Sequence, residues 1–232
     1  MARRASELGS RPILCAVLDA SGLGPDPGAR AGALFEAGVD WIQLRDRTLE
    51  DDVAYRLLRA LCAARDRASA DRPRVLVNRR VDLALAAGAD GVHLGFDAVD
   101  ARTARGLLGA GALLGASLHT IAEVEAAASA GALDYAHLAP IWDPISKPAT
   151  REALGPDRLA QAARLGLALL AQGGVDAQRV GAALAAGAAG VAVTGALARP
   201  GEAAAAIVPP LRRALDAAAR SHPPTAPTDA GG

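Results

Sequence analysis

Short apolar runs recur along the chain, and four of them are entered through the same joint. Ala37-Gly38-Val39-Asp40 leads into Trp41-Ile42-Gln43-Leu44, and Ala87-Gly88-Ala89-Asp90 leads into Gly91-Val92-His93-Leu94. Ala130-Gly131-Ala132-Leu133-Asp134 leads into Tyr135-Ala136-His137-Leu138, and Ala186-Gly187-Ala188-Ala189 leads into Gly190-Val191-Ala192-Val193. An Ala-rich helical stretch stopped by a glycine that can turn left-handed, then an apolar run too short for a core helix, describes a helix feeding a buried strand. The pattern predicts strands over 13–18, 41–45, 74–78, 91–94, 112–117, 134–139, 167–172 and 190–194. Helices fall between them, most plainly over 49–68, 121–130, 176–186 and 202–219. Thr48 before an acidic turn, Thr120 with Glu123 three residues on, and Asp176 are the start signals. Strict alternation of this kind predicts a parallel α/β protein with its chemistry at the C-terminal ends of the strands.

Length decides between closed and open versions of that plan. The chain has 232 residues, and a lean (β/α)8 TIM barrel needs roughly 200 to 250. A single barrel over residues 12–220 is therefore expected, with a flexible lead-in over 1–11 and a disordered tail over 221–232, where periodicity is lost. An open doubly wound sheet is the alternative. The hydrophobic fraction is 51% while aromatics are 3%, so the core has to be made of Ala, Leu and Val. Lys+Arg and Asp+Glu balance at 25 each, which argues against a general nucleic-acid or membrane-surface binder. Cys15 and Cys62 are expected as buried thiols without a disulfide, and the absence of a signal-like or spanning apolar segment points to the cytoplasm.

The strand ends are then a test, since nothing obliges them to be polar. They supply Asp19; Gln43, Arg45, Asp46 and Arg47; Asn78, Arg79 and Arg80; Gly95 and Asp97; Ser117 and His119; Trp142, Ser146 and Lys147; Gln172, Gly173 and Gly174; Thr194 and Gly195. In an otherwise neutral protein this is an anion site. Gly173-Gly174 after the seventh strand and Thr194-Gly195 after the eighth match the place where barrels cradle a phosphate with backbone N–H groups. Gln43, Arg45 and Arg47 alternate along one strand, so they point in one direction, and two convergent guanidiniums suit a pyrophosphate. A structural ion pair of Arg45 or Arg47 with Asp46 or a neighbouring acid is the other reading. Asn78 is either a ligand contact or a loop cap. Lys147, on the Pro-rich segment Pro144-Ile145-Ser146-Lys147-Pro148, is either a solvated charge or a cation delivered when that flap closes. Ser117 and His119 lack a third orienting residue, so no nucleophile triad is expected; His93 and His137 inside strands are expected to be packed and hydrogen-bonded.

Over about residues 12–198 the chain resembles the thiamine phosphate synthase and TenI family. The resemblance rests on ordered motifs: Gln43-Leu44-Arg45-Asp46-Arg47, Val77-Asn78-Arg79-Arg80-Val81-Asp82-Leu83-Ala84, Gly88-Ala89-Asp90-Gly91-Val92-His93-Leu94-Gly95, Ser117-Leu118-His119-Thr120, Ala139-Pro140-Ile141-Trp142 with Ser146-Lys147-Pro148, Gly173-Gly174-Val175 and Gly190-Val191-Ala192-Val193. It implies a transferase that joins a hydroxymethylpyrimidine diphosphate to a thiazole phosphate and releases pyrophosphate, through departure of pyrophosphate and capture of a pyrimidine carbocation by the thiazole nitrogen. By the same resemblance Gln43, Arg45, Arg47, Asn78, Ser117 and Lys147 hold the diphosphate, with Arg79 beside them, and Arg45, Arg47 and Lys147 act in catalysis. Ser146, Gly173, Gly174, Thr194 and Gly195 hold the thiazole phosphate. The family implies Mg2+, but its two metal carboxylates are replaced here by Arg79 and Ala98, with Asp97 one place early as the remaining candidate ligand. A Pro140 stands where the TenI isomerase branch carries His, and Pro144 and Gly195 replace hydroxyl residues of the phosphate turns. The alternative function is a non-catalytic, TenI-like thiazole-phosphate-binding protein. Expected partners are small phosphorylated substrates and a homodimer mate, with neither nucleic acid nor membrane.

Overall fold

The computed structural model describes residue 8 and residues 11–71, 73–143, 151–195, 197 and 204–221. Among them eight parallel strands close into a barrel in sequence order: β1 (Ile13–Leu18), β2 (Trp41–Leu44), β3 (Arg74–Asn78), β4 (Gly91–Leu94), β5 (Leu113–Leu118), β6 (Tyr135–Leu138), β7 (Ala168–Gln172) and β8 (Gly190–Val193), with β8 returning to β1. The helices described are α1 (Ala20–Leu23), α2 (Pro27–Ala37), α3 (Asp51–Arg67), α4 (Val81–Ala87), α5 (Ala101–Leu108), α6 (Ile121–Ala130), α7 (Gly155–Ala163), α8 (Val180–Ala185) and α9 (Ala204–Ser221). Closure rules out the open-sheet alternative.

Period-two alternation divides the core in two. Ile13, Cys15 and Val17 of β1, Trp41, Leu76, Leu113, Tyr135, Leu170 and Ala192 form the barrel's inner cluster. Their neighbours Leu14, Ala16, Leu18, Ile42, Val75, Val77, Leu114, Leu169 and Val191 belong to the larger layer beneath the helices. With so few aromatics, one ring has to fill much of the interior. Tyr135 lies across Gly115 of the neighbouring strand, where any Cβ would overlap the ring, and Trp41 meets it edge-on at 5.0 Å between centroids. Leu8 is buried in the same inner cluster and Arg11 pairs with Asp40 at 2.7 Å. The segment expected as a loose lead-in is thus tied down at these two points. The remainder of it lies outside the described residues, as does the tail expected over 221–232 except Ser221, which ends the last helix.

The repeated joint has a structural purpose at the N-terminal end of the barrel. Asp40, Asp90 and Asp134 each precede an even-numbered strand and accept a hydrogen bond from the preceding strand's backbone: Leu14, Val75 and Leu114, all at 2.8 Å. The same aspartates return their own N–H to those residues' carbonyls. Each carboxylate also receives a helix arginine, Arg212 at 2.9 Å, Arg65 at 2.7 Å and Arg105 at 2.6 Å. The fourth joint keeps only the backbone half, from Ala189 to Leu169 at 2.8 Å. These three clasps pin the floor of the barrel and leave the opposite ends of the strands to carry the site.

Candidate active site

The upper inner positions of the barrel turn polar. Gln43, Asn78, His93 and His137 are buried side chains on β2, β3, β4 and β6. His93 bonds through Nδ1 to Tyr135 Oη at 3.1 Å and through Nε2 to Ser117 Oγ at 2.9 Å. Its ring lies 4.1 Å from that of His137. Burial holds His93 well below the usual histidine range, and the adjoining His137 and the charge of Arg45 add to this. Burial likewise brings His137 down to about 3, with Gln172 pulling the other way. Both rings are neutral at pH 7. The expectation that both are hydrogen-bonded holds for His93 at both nitrogens and for His137 through Gln172 only. The Nε2 of His137 has no hydrogen-bond partner, and the same is true of Gln43 Oε1 and Asn78 Nδ2. Buried polar atoms without a protein partner are completed by water, an ion or a ligand. His119 gives its Nδ1 to Ala139 O at 2.7 Å, a structural contact that leaves no triad with Ser117.

Three guanidiniums crowd the rim above these residues. Arg45, Arg47 and Arg79 follow β2 and β3 directly. Arg45 is held below its ordinary range by burial and by the Arg47 charge, with Asp97 opposing and Arg79 adding to the effect. An arginine does not deprotonate at such a place; crowded positive charge there calls for an anion. Arg47 approaches Asp97 at 3.6 Å, and Arg79 forms a close ion pair with the same carboxylate. Arg47 also lies over the exposed ring of Phe96 at 5.2 Å. The ion pair anticipated for Arg45 or Arg47 is made by Arg47, with Asp97 in place of the expected Asp46. Asp46, the adjacent acid, accepts from Thr48 N at 2.9 Å, Thr48 Oγ1 at 2.8 Å and Ala20 N at 3.2 Å, and so shapes the loop. Arg80 turns away to Asp82 and Asp51, clamping α4 to the start of α3.

The glycine turns stand across the same mouth, after β7 and β8. Gly173 and Gly174 both have positive φ, 91° and 61°. A Cβ on Gly173 would come within 2.8 Å of Pro140, and one on Gly174 within 2.8 Å of Trp142 Cβ, so only glycine fits this close approach of two loops. Gln172 Nε2 reaches Thr194 Oγ1 at 3.4 Å and joins the two turns. Arg179 was not among the residues singled out from sequence. Its Nη1 donates to Gly174 O at 2.6 Å and its guanidinium lies 5.8 Å from the centre of the Trp142 ring, which adds a cation to this end of the mouth. Nothing in the local sequence marks it, since it depends on Asp176 folding the loop back by accepting from Gln178 N and Arg179 N. Ser146 and Lys147 fall in the segment 144–150, outside the described residues.

A closed parallel barrel with cations at one part of its C-terminal rim and a double glycine turn at another has the layout in which such barrels frequently bind phosphorylated small molecules. The thiamine monophosphate synthase family profile matches residues 14–197, and the chain belongs to that family. A protein from Geobacter sulfurreducens is 42% identical over 159 residues, 68% of this chain and 70% of its own. The thiamine-phosphate synthase of Chlorobium limicola is 36% identical over 170 residues, 72% of this chain and 76% of its own. Among solved structures, thiamine phosphate pyrophosphorylase from Pyrococcus furiosus superposes with a TM-score of 0.76 at 22% identity, over 90% of this chain and 98% of that one. That likeness carries the fold.

The donor set does not fit the Mg2+ that the family resemblance implies. Mg2+ takes octahedral oxygen ligands and relies on carboxylates to hold it. Asp97 is already shared between two guanidiniums.

Proposed function

We propose that the protein catalyses thiamine phosphate formation from a hydroxymethylpyrimidine diphosphate and a thiazole phosphate. The observation that carries this reading is the division of one rim into two anion sites, guanidiniums after β2 and β3 and glycine turns after β7 and β8. Arg45, Arg47, Arg79, Ser117 and Lys147 take the diphosphate, and the open Nδ2 of Asn78 donates to one of its oxygens. The open Oε1 of Gln43 needs a donor, which suits a ring substituent of the pyrimidine better than an oxyanion. Gly173, Gly174, Thr194, Gly195 and Ser146 take the thiazole phosphate, aided by Arg179.

The chemistry then needs charge and alignment and no side-chain nucleophile. The bond between the pyrimidine methylene and the diphosphate oxygen breaks, and its electron pair leaves on the pyrophosphate. Arginines fixed at the rim stabilise that developing charge without reorganising. The thiazole nitrogen, held in line by its phosphate, donates its lone pair to the methylene carbon and forms the new C–N bond. A reducing cytoplasm suits the two free thiols, Cys15 and Cys62, whose titration is pushed upward by burial.

Purified protein given both substrates is expected to release pyrophosphate and thiamine phosphate in equal amounts. Arg45→Ala and Lys147→Ala are each expected to lower kcat/KM by about 100-fold, the scale of losing one preorganised charge contact. The competing reading, a non-catalytic binder, predicts ligand-induced thermal stabilisation with no product. Binding of both substrates with no thiamine phosphate formed would leave that reading standing and remove the synthase.

A further inference from the structure

We propose that Arg79, docked on Asp97, takes the place of a divalent cation, so that this protein binds the diphosphate as a free anion and works without metal. The inference rests on the synthase reading and specifies how its leaving group is held. Three observations meet here. The carboxylate nearest the rim cations is already committed, to Arg79 by a close ion pair and to Arg47 at 3.6 Å. A metal entering this place would have to displace two guanidiniums from Asp97 and then sit among three fixed positive charges, those of Arg45, Arg47 and Arg79. The backbone of Arg79 is left-handed at φ 65°, the one described non-glycine residue with positive φ. Ordinary side chains avoid that region, so the surroundings hold this arginine in place against its own preference.

Summed charge makes the exchange reasonable. A divalent ion held by two carboxylates and a guanidinium held by one carboxylate both add up to zero. The exchange therefore leaves the net charge facing the diphosphate unchanged. What changes is directionality. Arg79 spends Nη1 on Asp97 and keeps the other donors of its planar fork for phosphate oxygens, a geometry that an arginine matches in pairs. Gly95 makes room for this arrangement. A Cβ there would lie 3.2 Å from Asp97 Oδ1, 3.6 Å from Arg47 Nη2 and 3.8 Å from Arg79 Cδ, at the centre of the cluster.

The test is calorimetric titration of inorganic pyrophosphate into the full-length protein, once in EDTA and once in excess Mg2+. The expected result is binding in EDTA and weaker apparent affinity in Mg2+, because the metal competes for the free anion. Arg79→Asn removes the guanidinium while keeping a residue type that tolerates the left-handed backbone. It is expected to lower affinity in EDTA at least tenfold with the melting temperature retained. Arg79→Asp, which sets a second carboxylate beside Asp97, is expected to make pyrophosphate binding require Mg2+. Wild-type binding that appears only with Mg2+, or Arg79→Asn binding as tightly as wild type in EDTA, overturns the inference. If either occurs while thiamine phosphate is still formed, the synthase reading survives. If pyrophosphate binds under neither condition and no product forms, both fall.

Discussion

His93 and His137 occupy the polar layer directly under the proposed ligand, and both are kept neutral by burial. That has a consequence for stability against pH. The unfolded chain binds a proton on each histidine as pH falls below about 6.5, while folded His137 resists until about 3. Between those values the unfolded state carries more protons, so stability is fully present above about pH 6.5 and is lost on acidification. Over pH 7 to 5 the His137 contribution amounts to about 2 kcal/mol. The aspartates with lowered pKa, such as Asp46 and Asp82, act in a different window, below the ordinary carboxylate value of 3.8. Urea melts at pH 7 and pH 5 are therefore expected to show a loss that shrinks by about that amount in His137→Leu. An identical loss in the variant would mean that the ring takes up its proton as readily in the folded state as in the unfolded. The sequence placed both histidines inside strands but said nothing of their partners. The Tyr135 hydroxyl, Ser117 and the open Nε2 of His137 depend on how alternate strands meet across the barrel interior.

Elements were legible where two local signals coincided. A glycine stop followed by an apolar run located β2, β4, β6 and β8 to within a residue at either end. Thr120 caps α6 through its hydroxyl to Glu123 N at 3.1 Å, and Glu123 returns a carboxylate to the His119 N–H at 2.5 Å. Where one polar residue had two uses, the boundary moved. Thr48 is held by Asp46, so α3 begins after Glu50 without a side-chain cap. Asp176 caps a tight turn, so α8 begins only at Val180. The aspartate clasps were visible as a sequence echo, yet their energetic role comes from burial. Asp134 is 3% exposed and Arg105 23% exposed. Removing one member leaves the other without its charge partner in a poorly solvated place. Asp134→Ala is expected to destabilise by about 3 kcal/mol in urea melts, near the lower end for a buried pair. Arg56→Ala breaks a pair whose side chains are 68% and 65% exposed and is expected to cost less than about 0.5 kcal/mol. Equal losses in the two variants would count against the clasps as the fastening of the barrel floor.

At the scale of the whole molecule the charges sum to zero but are not evenly spread. The clasped aspartates sit at the floor, each neutralised by an arginine, while Arg45, Arg47, Arg79 and Arg179 stand at the mouth, with Asp97 shared between Arg47 and Arg79. Closure of the barrel made this site readable as a set, because it brings every C-terminal strand end to one rim whatever the loops do. The contacts of Arg179 and Asp97 were not readable, since they are fixed by loop paths. A neutral protein with a cationic mouth attracts its anionic ligand over a range set by salt. Raising ionic strength from about 0.05 to about 0.5 M shortens the screening length from about 14 to about 4 Å. Long-range attraction then fades, while charges in contact within the bound complex are screened much less. The KM for the pyrimidine diphosphate is expected to rise about tenfold across that range with kcat within about twofold. The KM for the thiazole phosphate should rise less, because Arg179 is the one guanidinium placed at that end and backbone amides at Gly173, Gly174 and Gly195 contribute fixed dipoles beside it. Steady-state kinetics across a salt series separates the two ends. A KM for the thiazole phosphate that rises as steeply as that for the diphosphate would place both anions on the arginines and dissolve the division of the rim into two sites.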